Sequence, residues 1–115
     1  MAETALYRAD GTVVCERLLV ADRPFARMRG LLGKKTMPAG EGLLLRPASS
    51  IHTFFMRFPI DAVFLGRGLE VLEVASYVRP WRAAAGEGAR AVLELPAGEA
   101  ERRGVRPGDR LELSS

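Results

Sequence analysis

Several things are scarce in this 115-residue chain, and each scarcity removes a class of protein. There is one cysteine, Cys15, so no internal disulfide framework exists and no cysteine-based zinc pattern can be written. One histidine, His52, leaves any imidazole chemistry to a single residue. No apolar run approaches the roughly 18 residues of a membrane-spanning helix. The start, "MAETALYRADG", carries neither a basic n-region nor an apolar h-region, so a cytoplasmic protein is expected. There is no G-x-S-x-G, and the "GRG" at 66–68 and "GEG" at 86–88 are turn glycines, not phosphate loops. Internal repeats and low-complexity segments are absent as well.

What is present describes an ordinary globular chain, 48% hydrophobic and 27% charged, and long enough for one core, so residues 1–115 are read as a single domain. The net charge is only +3 but unevenly placed: Arg17 to Arg57 hold eight Lys/Arg against two acids. That basic half would attract an anion, yet no stacking aromatics interleave with it. Nucleic acid is therefore disfavoured as a partner relative to a small polar or anionic molecule.

Strand signals dominate. "ALYRADG" and Thr12–Val20 read as a hairpin about Asp10-Gly11. Leu43–Leu45, Ile51–Met56, Ile60–Leu65, Leu69–Val78, Arg90–Pro96 and Arg110–Leu113 follow as further strands, separated by Gly and Pro turns. "AAAGEGA" reads as a small-residue loop. One helix is expected over "DRPFARMRGLLG", capped by Asp22 and closed by Gly33, and a second short one in "AGEAERRG". The pattern predicts a mainly β fold: a compact β-sandwich or barrel of about seven short strands with two short helices.

The chemistry concentrates in "SSIHTFFMRFPIDAVFL". On an extended Ile51–Met56, His52 and Phe54 share one face, and Thr53 takes the other. A hairpin about Arg57–Pro59 with an even loop would put His52 and Asp61 on one face, where the carboxylate would orient the imidazole. An odd loop would separate them. The bland reading makes His52 a satisfied buried donor and Asp61 a cap for backbone N–H groups after Pro59. Trp81, flanked by Arg79 and Arg82, would either wall a cleft or plug the end of a barrel. Asp61, Glu73 and Glu94 would suit a hard cation only if the fold gathered them, and nothing in their spacing requires it. A Cys15–His52 nucleophile pair is the weakest arrangement.

"RMRGLLG", "EGLLL", "SIHTFFMRFPIDAVFL", "VRPW", "VLELPAG" and "GVRPGD" together resemble domain-of-unknown-function family one-nine-two, small prokaryotic proteins, over about Leu18 to Leu113. The family's "RMRGLLG" segment usually has Met in place of one leucine at 31 or 32, a volume-conserving difference. The resemblance implies a sandwich-like β fold; members occur with and without export signals, and this sequence looks like the type without. It assigns no catalytic residue and no cofactor. Arg29, His52, Thr53, Met56, Arg57, Asp61, Trp81 and Glu94 are thus ligand-binding candidates by their chemistry alone.

Three functions remain: a ligand-binding β domain with a cleft near His52, Asp61 and Trp81; an interaction module using the arginine-rich helix face or an edge strand; and a hydrolase-like enzyme with His52 and Asp61 as its acid–base pair.

Overall fold

A computed structural model describes residues 2–21, 36–54 and 56–114. The helix expected over 22–33, with Arg29, lies outside the described residues, as does Phe55. The described chain is mainly β. Its elements are β1 (Ala2–Arg8), β2 (Val13–Ala21), β3 (Glu41–Leu45), β4 (Ser50–His52), β5 (Ile60–Leu65), β6 (Val71–Val78), β7 (Ala83–Ala85), β8 (Ala91–Pro96), α1 (Glu99–Arg102) and β9 (Leu111–Leu113). A 3-10 turn, Arg67–Leu69, links β5 to β6.

Seven strands form one sheet in the order β6-β5-β8-β3-β2-β1-β9, and all its pairs are antiparallel except β2–β3. The two edges of this sheet meet. Glu70 bridges Arg110, the Val71 N–H donates to the Asp109 carbonyl, and the Gly108 N–H donates to the Val71 carbonyl. The sheet therefore curls into a barrel held closed at one corner, which resolves the sandwich-or-barrel alternative. Every strand sends apolar side chains inward: Leu6, Leu18, Leu44, Val63, Val71, Leu93 and Leu111 share one core. α1 contributes Ala100 to the same core.

The outer face of the central strands is buried too. Leu43, Leu45, Ile60, Ala62, Phe64 and Val92 pack under a second layer built from Met37, Ile51, Met56 and Phe58. This explains why β5, "IDAVFL", and β8, "AVLELP", read as continuous apolar runs: both of their faces are covered. Fully burying a side chain such as Phe64 contributes roughly 1.5–3 kcal/mol.

β4 pairs not with β5 but with β7, in a separate two-stranded ribbon that contributes Ile51 to that second layer. The hairpin expected about Arg57–Pro59 does not form, because the strand stops at His52 and Thr53 begins a turn that returns the Met56 N–H to the Thr53 carbonyl. The "AAA" expected as loop is a strand, since its partner β4 supplies hydrogen bonds that alanine's weak β preference would not secure alone. Gly86 lets the ribbon sit close. A Cβ there would stand 2.4 Å from Cγ of the buried Phe64.

Candidate functional site

Asp61 and Glu94 are the two buried carboxylates of the barrel's central strands, and the pleat sends them to opposite faces. Asp61 pairs with Leu95 and Ala62 with Glu94, so Asp61 points with the inward-facing residues and Glu94 with the outer set. A cation site from Asp61, Glu73 and Glu94 is therefore overturned. Among the described residues no group of three His, Cys, Asp or Glu side chains is placed to hold a metal.

Asp61 is 1% exposed and fully engaged. Oδ1 accepts from the Tyr77 N–H at 2.9 Å, and Oδ2 accepts from Gly98 N–H and Ala100 N–H, each at 3.0 Å. It is a cap for backbone donors, but the donors belong to the end of β6 and the start of α1, not to the segment after Pro59. No hydrogen bond links it to His52, and the acid–base pair that the enzyme reading needed is absent.

His52 is exposed, against the expectation of a buried donor. Its Nδ1 accepts from the Phe54 N–H at 3.3 Å. Its ring stacks on Phe54, with centroids 4.8 Å apart, and Phe54 stacks on Trp81 at 5.8 Å. Phe54 is 40% exposed and Trp81 56%. The three rings form a surface ladder between residues distant in the chain. Beside it runs a groove of about 380 Å³, lined by Ser50, Ile51, His52, Phe54 and Ala83–Ala85. The alanines create the groove: opposite Ser50 and His52 the ribbon presents only the methyl groups of Ala85 and Ala83.

Thr53 ties the ladder together and is fully buried. Its N–H donates to the Arg82 carbonyl at 2.8 Å, its hydroxyl donates to the Arg79 carbonyl at 2.6 Å, and Oγ1 accepts from the Arg82 N–H at 2.9 Å. Its own carbonyl accepts from the Trp81 N–H at 3.0 Å. Trp81 sits at φ +63°, a left-handed conformation that bulky residues avoid. Tyr77, also exposed, has φ +57°, and its N–H is the one held by Asp61. Each of these buried polar residues thus fixes the backbone of an exposed aromatic in a conformation costing about 1–3 kcal/mol.

Cations lie in the segments that carry the ladder and the ribbon. Arg57, Arg79, Arg82 and Arg90 are exposed, and none of them forms an ion pair with a described residue. Arg82 Nη1 reaches only the Trp81 carbonyl, at 3.3 Å.

The remaining predicted site residues lie elsewhere. Met56 is buried in the second core layer beneath the ribbon. Glu94 is 4% exposed among Leu43 and Ala62, with no hydrogen-bond donor among the described residues, and burial pushes its carboxyl up to about 8. Cys15 lies inside the barrel, its thiol pushed up to about 11 by burial and donating to the Gly40 carbonyl, so it forms no pair with His52. Reading by residue type missed Phe54, the middle rung, although its alternation with His52 was visible. It also missed the alanine floor, where absence of side chain is the signal.

A closed β barrel with a ribbon-and-turn layer on one flank is thus the class of protein, and the comparisons agree. The match to the family DUF192, "Uncharacterized ACR", runs over residues 5–113, and the chain belongs to this family. An uncharacterised UPF0127 protein of Thermococcus sibiricus is 32% identical over 112 residues, covering 93% of this chain and 72% of its own. A second, from Pyrococcus furiosus, is 38% identical over 65 residues, 56% of this chain and 55% of its own. Two crystal structures share the fold. One, from Sinorhizobium meliloti and described as a "putative transcription regulator", has TM-score 0.83, 25% identity and 96% coverage of this chain against 92% of its own. The other, a protein of unknown function from Novosphingobium aromaticivorans, has TM-score 0.78, 26% identity and 96% coverage against 84%. Among the described residues no helix is long and apolar enough to cross a membrane.

Proposed function

We propose that this domain binds a small polar, anionic ligand on the surface formed by His52, Phe54 and Trp81. The observation that carries the reading is the exposed aromatic ladder, set beside an alanine-floored groove, with Arg79 and Arg82 flanking Trp81 in sequence and forming no ion pair with a described residue. Exposed stacked rings, one of them on the left-handed backbone of Trp81, are costly to maintain, and they supply what a planar ligand needs: a π-surface with cations near it. Thr53 acts in this reading as a positioning residue, while Asp61 is a structural cap at the barrel rim. Met56 supports the layer from below, and Arg57 contributes charge.

The test uses the chain's single imidazole and single indole. Proton NMR signals of His52 and of the Trp81 indole N–H are followed while phosphate, a nucleoside monophosphate or an aromatic carboxylate is added. Both residues should shift together and saturably. Anions that leave both signals in place while shifting others would sink this site.

The interaction-module reading keeps one specific support. Beyond its closing contact at Val71, β6 lies at an edge of the sheet and exposes Leu72 and Tyr77, a surface on which a partner's apolar segment would dock.

A further inference from the structure

We infer that the occupant of this surface is a single-stranded nucleic acid, a deepening that rests on the anion-binding reading above. Three features of the surface lead there. The first is length. A second groove, of about 660 Å³ and lined by Pro47, Ala48, Ser49, Ser50, Ala89 and Arg90, meets the first at Ser50. The combined path follows the chain from Pro47 to Phe54, at most roughly 23 Å if fully extended at about 3.3 Å per residue. That is more than one small anion fills, and it suits a short linear one.

The second is charge. Residues 46–54 and 79–90 include every lining residue of these grooves and the ladder, and they hold four arginines and a single acid, Glu87. Arg90 lines the far groove, while Arg79 and Arg82 flank Trp81 at the other end. Cations thus stand at both ends of the path, as a repeating anion requires and a single carboxylate does not.

The third is the pairing of flat rings with that charge. Bases stack on aromatic side chains irrespective of sequence while arginines follow the phosphates, which is the usual arrangement of single-strand binding surfaces. An acidic peptide would use the arginines but has no need of the ladder. Chain order conceals this arrangement: Trp81 and its flanking arginines lie far along the chain from His52 and Phe54 and meet them only in the fold.

Trp81 is the only tryptophan, so its fluorescence reports directly from the site. The full chain is titrated at low salt with hexauridylate, uridine monophosphate and hexaglutamate. The expected result is quenching by hexauridylate at a concentration at least tenfold below that needed for the mononucleotide, with none from hexaglutamate. Phe54→Ala, a change at an exposed ring, should weaken hexauridylate at least tenfold. Arg82→Gln with Arg90→Gln, both at exposed positions, should flatten the slope of log affinity against log salt by about 1.4, the loss of two phosphate contacts on a single strand. If hexaglutamate binds as well as hexauridylate, the face reads charge alone and the nucleic-acid assignment fails. If the mononucleotide binds as tightly as the hexamer, the polymer fails while the small-anion reading stands. If neither nucleotide binds, nucleic acid is excluded, and the NMR titration with phosphate and carboxylates decides the broader reading separately.

Discussion

The barrel rim and the outer layer treat the same chemical groups in opposite ways. At the rim, charges are answered. Asp61 takes three backbone N–H groups, Glu99 is bonded to Arg102 and Arg103, and Arg103 also reaches Glu16. On the outer flank, among the described residues, Glu94 is buried with no donor and Arg57, Arg79, Arg82 and Arg90 form no ion pair. Burial and charge are therefore poor guides to function by themselves. What separates a structural polar group from one available for chemistry is whether the fold has already used its hydrogen bonds.

That contrast breaks most visibly at Asp61. Asp61→Ala leaves three backbone N–H groups without their acceptor in a nearly dry rim, each worth about 1–3 kcal/mol. The loss should be about 3 kcal/mol or more, against a total domain stability of about 5–15. Urea denaturation should show a large drop in midpoint, or no folded protein at all. A loss under about 1 kcal/mol would mean that Asp61 does not carry the rim.

Glu94 sharpens the comparison through pH. Its carboxyl is pushed from 4.5 to about 8 by burial, so across that window the folded state holds a proton that the unfolded chain has released. The stability from the neutral acid is fully present below about 4.5, falls as pH rises, and is gone above about 8. In Glu94→Gln that downward slope should vanish, with a difference on the order of a few kcal/mol between the ends of the window in wild type. Thermal melts at a series of pH values would decide it: a wild-type curve parallel to the variant's means that Glu94 is ionised in the fold.

Much of this architecture was legible in the sequence, and the parts that were not share a cause. β5 and β8 announce themselves because a strand covered on both faces needs an unbroken apolar run. The β8 run also holds Glu94, which residue chemistry marked as a candidate without showing that the fold leaves it no solvent. The hairpin between "SIHTFF" and "IDAVFL" was misplaced because Thr53 spends its hydrogen bonds on residues 79–82, nearly thirty positions away, and alternation carries no trace of such a bond. The ladder was hidden likewise: His52 and Phe54 are neighbours in sequence, whereas Trp81 joins them only through the turn that Thr53 holds.

The smallest expected effects compare two arginines. Arg103 is mostly buried, and its guanidinium bonds Glu16, Glu99 and the Val13 carbonyl. Arg82 is exposed and donates only to the Trp81 carbonyl at 3.3 Å. Arg103→Gln should cost about 1–3 kcal/mol, since charge-assisted bonds in a half-dry setting are lost and Glu99 keeps only Arg102. Arg82→Gln should change stability by no more than about 0.5 kcal/mol, as exposed positions outside such networks do. Parallel urea titrations of the two variants make the comparison direct. Equal losses would mean that Arg82 is part of the scaffold, and the cations on the outer flank would then need no ligand to explain them.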